Sequence, residues 1–525
     1  MKRIEFMLLL SGLAILLVHN TFFHSGYFGF DELTYSTLAH DLFEGNLDKK
    51  LNLFSYRLGI ILPLALSYFL FGINDFSNMI PSLLALLVTL FILLKYLRPF
   101  PMVIKIICAL YFICFPIHLM YLAKPMPDII VELGFLLCFS AYFLSSYSLK
   151  TKNDQLWVLF LIGGILIFLS KETFLIIYPF FLLLLISDLR AKKKHQFWKK
   201  SLLAVFIFLI GYFIYFYLST GNPIIRVDAI FHERYISECS YEFQPLSILL
   251  KRVSYELWVD FMQWGVLIPV GFLMLLSKKY DLSKGERFIL KSYLAMLLIS
   301  NFMTISYTDY VPLCNDVRHF LFVFPLGVLG LGIGLKYLPK MNPATILIIG
   351  STIIIQGLLC EYLLPETYWT IFLPLGAGVI LWGFTKTRHL AVFLIITGII
   401  MQFYHNAEYN LRTNHPAQKE LIYFVISKPG KMNVITDSAN TRLAKMYSQY
   451  ANENISFFRY HDFDGDINFG DTPTYVILNG MTAWFSKVDW SEVPDEFKEE
   501  SDALQLLFSN EIGKVFKWHS NRNEN

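Results

Sequence analysis

Hydrophobic residues fall in long runs along most of the chain, and polar residues are concentrated in short stretches between them. Many runs approach the roughly 20 apolar residues with which an α-helix crosses a bilayer. They define fourteen candidate helices, at about 5–23, 58–72, 79–95, 103–122, 129–147, 155–169, 173–187, 201–219, 256–276, 289–306, 319–335, 344–363, 368–384 and 389–404. The pattern predicts an all-α polytopic membrane protein over residues 1–404.

The placement of basic residues indicates how many of these helices cross the membrane. The run at 58–72 has about 15 residues, fewer than a crossing needs. If it enters and leaves on one side, about 13 transmembrane helices remain. The run at 5–23 is predicted to be an uncleaved signal anchor. The basic segments then share the inner side, as the positive-inside rule requires. These segments are Lys2/Arg3, Lys95/Arg98/Lys105, Lys150/Lys152, Arg190–Lys200, Lys278–Arg287, Lys336/Lys340 and Lys386/Arg388.

An odd number of crossings places the polar C-terminal segment outside. It contains strand-like stretches, "NVITDS", "ISFFRY" and "TYVILNG", and a helix-like stretch, "ANTRLAKMYSQYA". We therefore predict a transmembrane domain at 1–404, with its first outer loop at 24–78, and a small extracytoplasmic α/β domain at 405–525. "DFDGDINFG" at 462–470 lacks the ligand spacing and closing Glu of a calcium loop, which indicates a turn.

Composition supports a location in lipid. The 525 residues are 55% hydrophobic and 16% charged, against roughly 25% charged in soluble domains. The net charge of +3 gives no indication of nucleic-acid binding. The prediction is a multi-pass protein of the plasma or inner membrane.

Two adjacent carboxylates, Asp31 and Glu32, follow the first apolar run directly. After Asp31, apolar and aromatic residues recur at Tyr35, Leu38, Ala39, Leu42 and Phe43, the spacing of an amphipathic helix. Gly45 would end this helix, which we expect to lie along the membrane surface beside the short helix at 58–72. One interpretation is structural, with Asp31 as the N-cap and Glu32 at the positive end of the helix.

Other ionisable residues are predicted at the same outer face. Four of them have a simpler alternative: Asp128 as a helix N-cap, Lys171 and Glu172 as an interfacial anchor, and Arg318 as a snorkelling cation. The outer set consists of Asp31, Glu32, Asp128, Lys171, Glu172, Arg234, Asp309, Asp316 and Arg318. Together these carboxylates and cations suit the activation of a hydroxyl group and the binding of a lipid phosphate leaving group.

A series of motifs, in this order, resembles the GT-C glycosyltransferases, and more narrowly the protein O-mannosyltransferase and aminoarabinose-transferase group. The resemblance covers roughly residues 1–340. The short helix departs from the family's "HPP" or "KPP" turn, since "FSYRLGIILP" has Tyr56 and Arg57 there, and the pair Arg318-His319 replaces Arg-Tyr. The motifs are "FDELTYSTLAHDLFEGN", "LFGINDF", "PSLLALLVTLFILLKYL", "PMPDIIVELGF", "LSKETFL" and "VRHFLFVFPLGVLGLG".

The resemblance implies roles for particular residues. Asp31 resembles the catalytic aspartate, Glu32 its partner, and Asp128 the second acidic residue. Lys171 and Arg318 resemble contacts to the donor phosphate. The predicted substrate-binding set is completed by His319, Tyr35 and Arg57. A divalent cation on Asp31 and Asp128 is compatible with this set, and no nucleotide-binding motif is present.

The expected activity is transfer of a monosaccharide, hexose or pentose, from a polyprenyl-phosphate donor to an acceptor hydroxyl, with inversion, at the outer membrane face. The acceptor is a glycan, lipid or protein. A lipid or glycolipid transporter is the alternative, and it predicts ionisable residues near mid-membrane and inverted repeats. An inactive scaffold that presents the tail to a partner is a second alternative.

Overall fold

The structure is a computed structural model. It describes residues 3–46, 53–147, 155–232, 244–304, 310–363, 371–384, 388–451, 453–459, 471–479 and 504–519. Arg234, Asp309 and the predicted turn at 462–470 lie outside these residues.

Helices form nearly all of the described part of the chain before residue 427. Short 3-10 segments occur at Leu53–Tyr56, Ile268–Leu276, Val317–Val323 and Leu338–Lys340, and one π-helical turn at Arg252–Glu256. The α-helices are α1 (Arg3–Phe22), α2 (Asp31–Phe43), α3 (Leu58–Phe71), α4 (Asp75–Tyr96), α5 (Met102–Ile113), α6 (Pro116–Tyr121), α7 (Asp128–Tyr147), α8 (Leu156–Ser170), α9 (Phe174–Arg190), α10 (His195–Thr220), α11 (Ile225–His232), α12 (Leu246–Lys251), α13 (Leu257–Gln263), α14 (Lys284–Phe302), α15 (Phe324–Tyr337), α16 (Pro343–Leu363), α17 (Phe372–Trp382), α18 (Arg388–Arg412), α19 (His415–Ile426) and α20 (Ser438–Tyr447).

Two of the predicted spans are not continuous helices. The run at 103–122 breaks between α5 and α6, where Pro116 starts the second helix; proline has no N–H and clashes with the preceding turn. The run at 256–276 bends by 112° between α13 and the 3-10 segment that follows. Gly265 lies at this bend with a φ of +79°, a conformation that glycine adopts without steric cost.

The chain is a multi-pass membrane protein. Within the described residues, seven helices are long and apolar enough to cross a bilayer, or eight if the bent pair forms one span. Four shorter apolar helices, α3, α5, α8 and α17, accompany them, and thirteen crossings stay a prediction. Helix α3 has 14 residues, which at 1.5 Å per residue is about 21 Å, less than the roughly 30 Å of a hydrocarbon core.

Burial separates central from peripheral helices. The span that contains α15 is 94% buried, whereas that of α10 is 17% buried and exposes Leu203, Phe206, Ile207 and Leu218. An apolar outer face of this kind is suited to contact with lipid. Helix α15 therefore lies at the centre of the bundle and α10 at its margin.

Basic loops meet at one end of the bundle. Arg98 lies 3.3 Å from Glu5, and Lys336 lies 2.6 Å from Glu286. A cavity of about 870 Å³ is lined by Lys95, Glu286 and Lys336, among other residues. Helices α4 and α7 begin at the opposite end of the bundle, with Asp75 and Asp128. The predicted acidic site therefore lies away from the basic loops.

The tail forms a five-stranded sheet in the order β2-β1-β3-β5-β4. β1, β2 and β3 are parallel, and β5 pairs antiparallel with β3 and β4. The last two strands form a hairpin that the sequence pattern did not reveal, whereas the first three strands and α20 agree with the prediction. The strands are β1 (Met432–Thr436), β2 (Ile455–Arg459), β3 (Thr474–Asn479), β4 (Leu504–Ser509) and β5 (Gly513–Trp518).

The surface helix α2 lies in a different environment from the one predicted. Tyr35, Leu38 and Ala39 are buried in the core of the bundle, and Leu33, on another side, is buried against α20 of the tail. Helix α2 is thus held between α3 and the tail instead of resting on a membrane surface alone. Helix α18 runs continuously across the predicted domain boundary at 404/405.

Candidate active site

Asp31 is the first residue of α2, and its side chain does not cap the helix. The N-cap is Phe30, without a side-chain capping bond. The Asp31 side chain is 37% exposed and its carboxylate lies 3.8 Å from the Arg318 guanidinium. The N-cap interpretation of Asp31 is therefore wrong, and the carboxylate is accessible from outside the protein.

Glu32 faces the opposite way. Its Oε1 accepts a hydrogen bond of 2.7 Å from the Gly29 N–H, and the residue is buried. Burial raises the pKa of Glu32, while the Gly29 amide and the nearby Lys124 oppose that shift. Glu32 thus closes the turn that presents Asp31 and does not face the exterior.

Arg318 stands in the 3-10 turn before α15. Its Nε lies 2.7 Å from Asp316 Oδ2, and the Asp316 Oδ1 accepts a 3.0 Å bond from the Arg318 backbone N–H. The guanidinium carbon is 5.6 Å from the centre of the Tyr121 ring. With its side chain 20% exposed between two carboxylates, Arg318 is fixed in place and does not snorkel.

Asp128, Lys171 and His319 form a second, buried group. The Lys171 ammonium donates 2.7 Å to Asp128 Oδ1 and 2.5 Å to His319 Nδ1. Burial lowers the pKa of Lys171, and Asp128 opposes that shift. Among the described residues, the second carboxylate oxygen, Asp128 Oδ2, is buried without a hydrogen-bond donor. Since buried acceptors are normally paired, Oδ2 is suited to a donor from a bound molecule.

Glu172, next to Lys171 in the chain, belongs to a third group of side chains, with Arg57 and Arg226. It accepts from Arg57 at 2.7 Å and from Arg226 at 3.3 Å, and all three side chains are at most 4% exposed. Burial alone would raise the pKa of Glu172, but the two guanidinium groups lower it to about 2. Lys171 and Glu172 are therefore buried partners of other helices, so their interpretation as an interfacial anchor is wrong.

Arg57 also donates to the Tyr35 hydroxyl, and Tyr35 is fully buried. The close approach of α3 to α8 that allows these contacts depends on Gly59, where a Cβ would lie 2.2 Å from Ser170 Oγ. Tyr35 and Arg57, predicted as substrate-binding residues, thus lie behind the exposed part of the site and hold Glu172.

Two site residues were missed from the sequence. Arg226 lies in α11, and Lys124 lies in the "AKPMPD" turn before α7. Lys124 is fully buried, donates 2.8 Å to the Met120 carbonyl and lies 4.3 Å from the Phe28 ring centre. Burial lowers the pKa of Lys124 to about 7, and Glu32 opposes the shift. The sequence did contain a signal for Lys124, since it is a single cation beside two prolines at a predicted membrane exit.

Asp31 and Asp128, the carboxylates compatible with a divalent cation in the sequence, do not fit one, because each faces a protein cation. The cations that face them are Arg318, 3.8 Å from Asp31, and Lys171, 2.7 Å from Asp128. The charge of Arg318 also acts on Asp128. A metal ion between these carboxylates would have to displace both positive groups.

Among the described residues, one cluster brings three ligand atoms within 4.8 Å of one another: His24, Asp75 and His415. The two imidazole rings stack, with centroids 4.1 Å apart and planes at 15°, so their in-plane lone pairs do not converge. Asp75 already accepts from the Tyr27 hydroxyl at 3.0 Å and from Lys419 at 2.7 Å. The cluster therefore works as a polar junction between the bundle and the tail.

Comparison with known proteins defines the fold. No protein-family model and no curated protein sequence matches this chain. Among solved structures it is similar to ArnT from Cupriavidus metallidurans bound to undecaprenyl phosphate, with a TM-score of 0.59, 12% identity and 98% of each chain covered. The apo state of that ArnT gives the same TM-score and identity, with 97% of each chain covered.

The chain therefore has the fold of ArnT along nearly its whole length, including the C-terminal domain. This confirms, at the level of the fold, the resemblance that the motifs indicated. At 12% identity the similarity concerns the fold, so the chemistry has to be argued from this chain's own residues.

Proposed function

We propose that this protein is a glycosyltransferase that moves a monosaccharide from a polyprenyl-phosphate donor to an acceptor hydroxyl at the outer face of the membrane. The observation that carries the proposal is the accessible Asp31 carboxylate beside the Arg318 guanidinium, at the same end of the bundle as the buried Asp128. The ArnT fold, seen in a structure with undecaprenyl phosphate, supports a lipid-linked donor.

In this mechanism Asp31 is the general base. Its carboxylate takes the proton of the acceptor hydroxyl as that oxygen forms a bond to C1 of the donor sugar. The bond between C1 and the phosphate oxygen breaks, its electron pair leaves with the polyprenyl phosphate, and C1 is inverted. A general base of this kind needs a carboxylate that a substrate can reach, which Asp31 provides.

Arg318 stabilises the leaving phosphate. Charge develops on the phosphate oxygen as the bond breaks, and a fixed cation placed there lowers the barrier. The guanidinium can bind phosphate with two N–H groups at once, whereas a lysine presents a single point charge. Lys171 is a second cation in the same region, and Asp128 compensates its charge there.

Asp128 orients a hydroxyl of the acceptor or of the donor sugar. Lys171 holds Oδ1, which leaves the buried Oδ2 as a fixed acceptor. A fixed acceptor of this type contributes to rate by holding the reacting group in line.

The transporter alternative is less well supported. It predicts ionisable groups deep in the bundle, and the buried pair His118 and Glu132, 2.8 Å apart, is one such pair. Glu132, however, is four residues after Asp128 on α7, about 6 Å along the helix, and therefore near the site end. The chain also has the fold of ArnT.

Profiling of lipid-linked sugars in a deletion strain tests the proposal. The strain should accumulate one polyprenyl-phosphate sugar and lose that sugar from an envelope glycan, lipid or protein. A plasmid with the wild-type gene should restore both, and one with Asp31→Asn should restore neither. Full complementation by Asp31→Asn, or unchanged sugars in the deletion strain, would contradict the proposal.

A further inference from the structure

The tail domain contacts the backbone that immediately precedes Asp31. Arg442, on α20, donates from one guanidinium nitrogen to the Phe30 carbonyl at 3.1 Å and the Gly29 carbonyl at 3.4 Å. The same nitrogen lies 3.2 Å from the Thr34 hydroxyl in the first turn of α2. A single side chain of the tail therefore spans the turn before α2 and its first helical turn.

The approach of α20 is close enough to require glycine at position 29. Gly29 has a φ of +89°, and a Cβ there would lie 2.1 Å from the Ala439 Cβ. Ala439 is itself held at the start of α20, since its N–H donates 2.8 Å to the Asp437 side chain. This contact is independent of the Arg442 bonds and places the first turn of α20 against the same backbone.

Further contacts continue along α2. The Tyr450 hydroxyl donates 3.0 Å to Ser36, and the His40 ring stacks on Tyr450 with centroids 4.4 Å apart. The buried Leu33 packs with Leu443 and Ala444 of α20. The tail therefore covers one side of the helix that carries Asp31, while α3 covers another.

We propose that the tail domain positions the catalytic carboxylate, and that Arg442 is the positioning residue. This inference rests on the proposed role of Asp31 as the base. Asp31 has no capping bond and is held by the backbone at 29–32. That backbone is closed from within by Glu32 and from the tail by Arg442. Loss of Arg442 would release one of these two restraints.

The expected kinetic effect follows from the geometry. A displacement of about 1 Å at a reacting group costs about 100-fold in rate, so we expect Arg442→Ala to lower kcat by about 10- to 100-fold. Arg318, the proposed donor-phosphate contact, is held by Asp316 on its own loop, so the KM for the donor should stay within about twofold. Arg442→Lys keeps a charged donor and should recover part of kcat.

Hydrogen exchange provides a readout that does not depend on activity. In the full-length protein, Arg442→Ala should increase amide exchange in a peptide that covers 29–34, where the Gly29 N–H is bonded to Glu32. Lys445→Ala is the matched control, since Lys445 is exposed on the same helix. It should change neither exchange nor kcat.

The combined result decides the inference. Faster exchange together with a lower kcat and an unchanged donor KM supports a positioning role. Unchanged kcat in Arg442→Ala, with or without faster exchange, overturns it, as does an equal loss of kcat in Lys445→Ala. A wild-type protein without transfer activity would contradict the proposed function instead. In that case hydrogen exchange still tests the positioning role, because unchanged exchange in Arg442→Ala would show that Arg442 does not hold this backbone.

Discussion

The Arg318 guanidinium lies 3.8 Å from the Asp31 carboxylate, although the two residues are 287 positions apart in the chain. The same guanidinium also lies 2.7 Å from Asp316. A permanently charged arginine thus stands next to the proposed base, where a phosphate leaving group would develop charge. This relationship brings the proposed base and the proposed phosphate contact together at one end of the bundle.

Removal of this cation should weaken both donor binding and transfer. Because one preorganised charge stabilises the departing phosphate, we expect Arg318→Ala to lower kcat/KM for the donor by about 100-fold. Arg318→Lys should recover only part, since lysine lacks the bidentate geometry. A donor titration measures both values. Lys340→Ala, an exposed lysine in the basic loops, is the control and should match wild type. Unchanged affinity and rate in Arg318→Ala would mean that the phosphate is held elsewhere.

The buried pair of Asp128 and Lys171 predicts non-additive effects. Lys171→Met leaves the Asp128 charge buried and uncompensated, which should lower the free energy of unfolding by about 3 kcal/mol. The double variant Asp128→Asn/Lys171→Met removes both charges and should regain most of that stability. Transfer should be lost in both variants. In Lys171→Met the Asp128 carboxylate that orients the hydroxyl has lost its partner, and in the double variant that carboxylate is absent. Thermal unfolding in detergent measures the stabilities; additive losses would contradict the pairing.

Stability should depend on Glu172 in a pH-dependent way. Its pKa is about 2 in the folded protein, against 4.5 as the ordinary value. The lowered pKa adds stability that is fully present above pH 4.5 and is lost as the pH falls towards 2. Glu172→Gln should therefore melt well below wild type at pH 7, and the difference should shrink between pH 4.5 and pH 3. A difference that is constant with pH would show that Glu172 is not charged in the fold.

Membrane topology can be tested at two positions. In a variant with the six native cysteines replaced, Lys193→Cys should be shielded from a membrane-impermeant thiol reagent added to intact cells, and Ser438→Cys should react. This follows from thirteen crossings with 58–72 not crossing. If both positions react in intact cells, or if both react only after the cells are broken, they lie on the same side of the membrane. Either result would contradict the topology.

The sequence predicted those parts of the fold that depend on local patterns. Apolar runs located the helices, and the alternating stretches located β1, β2 and β3. The breaks at Pro116 and Gly265 were missed because an apolar run reads as one helix, although both residues are known helix breakers. The β4–β5 hairpin was missed because its strands are short and β4 is largely exposed.

The site was only partly predictable, because its partners come from distant positions. Asp31, Asp128, Lys171 and Arg318 were found from charge at the ends of apolar runs. The pairing of Glu172 with Arg57 and Arg226, which lie 115 and 54 residues away, has no local signature. The contact of Arg442 with the backbone before Asp31 spans more than 400 residues and depends on how the tail docks.

The central claim is that Asp31 acts as the base in transfer from a polyprenyl-phosphate sugar. The most direct test is the release of polyprenyl phosphate by purified protein in detergent micelles, where no compartment exists for transport. The assay supplies a polyprenyl-phosphate sugar and the acceptor fraction of the membrane. Wild type should release polyprenyl phosphate, and Asp31→Asn should reduce the rate by at least about 100-fold while its melting temperature is unchanged, because a carboxamide cannot accept the hydroxyl proton. Release by Asp31→Asn at a rate near that of wild type would contradict the account.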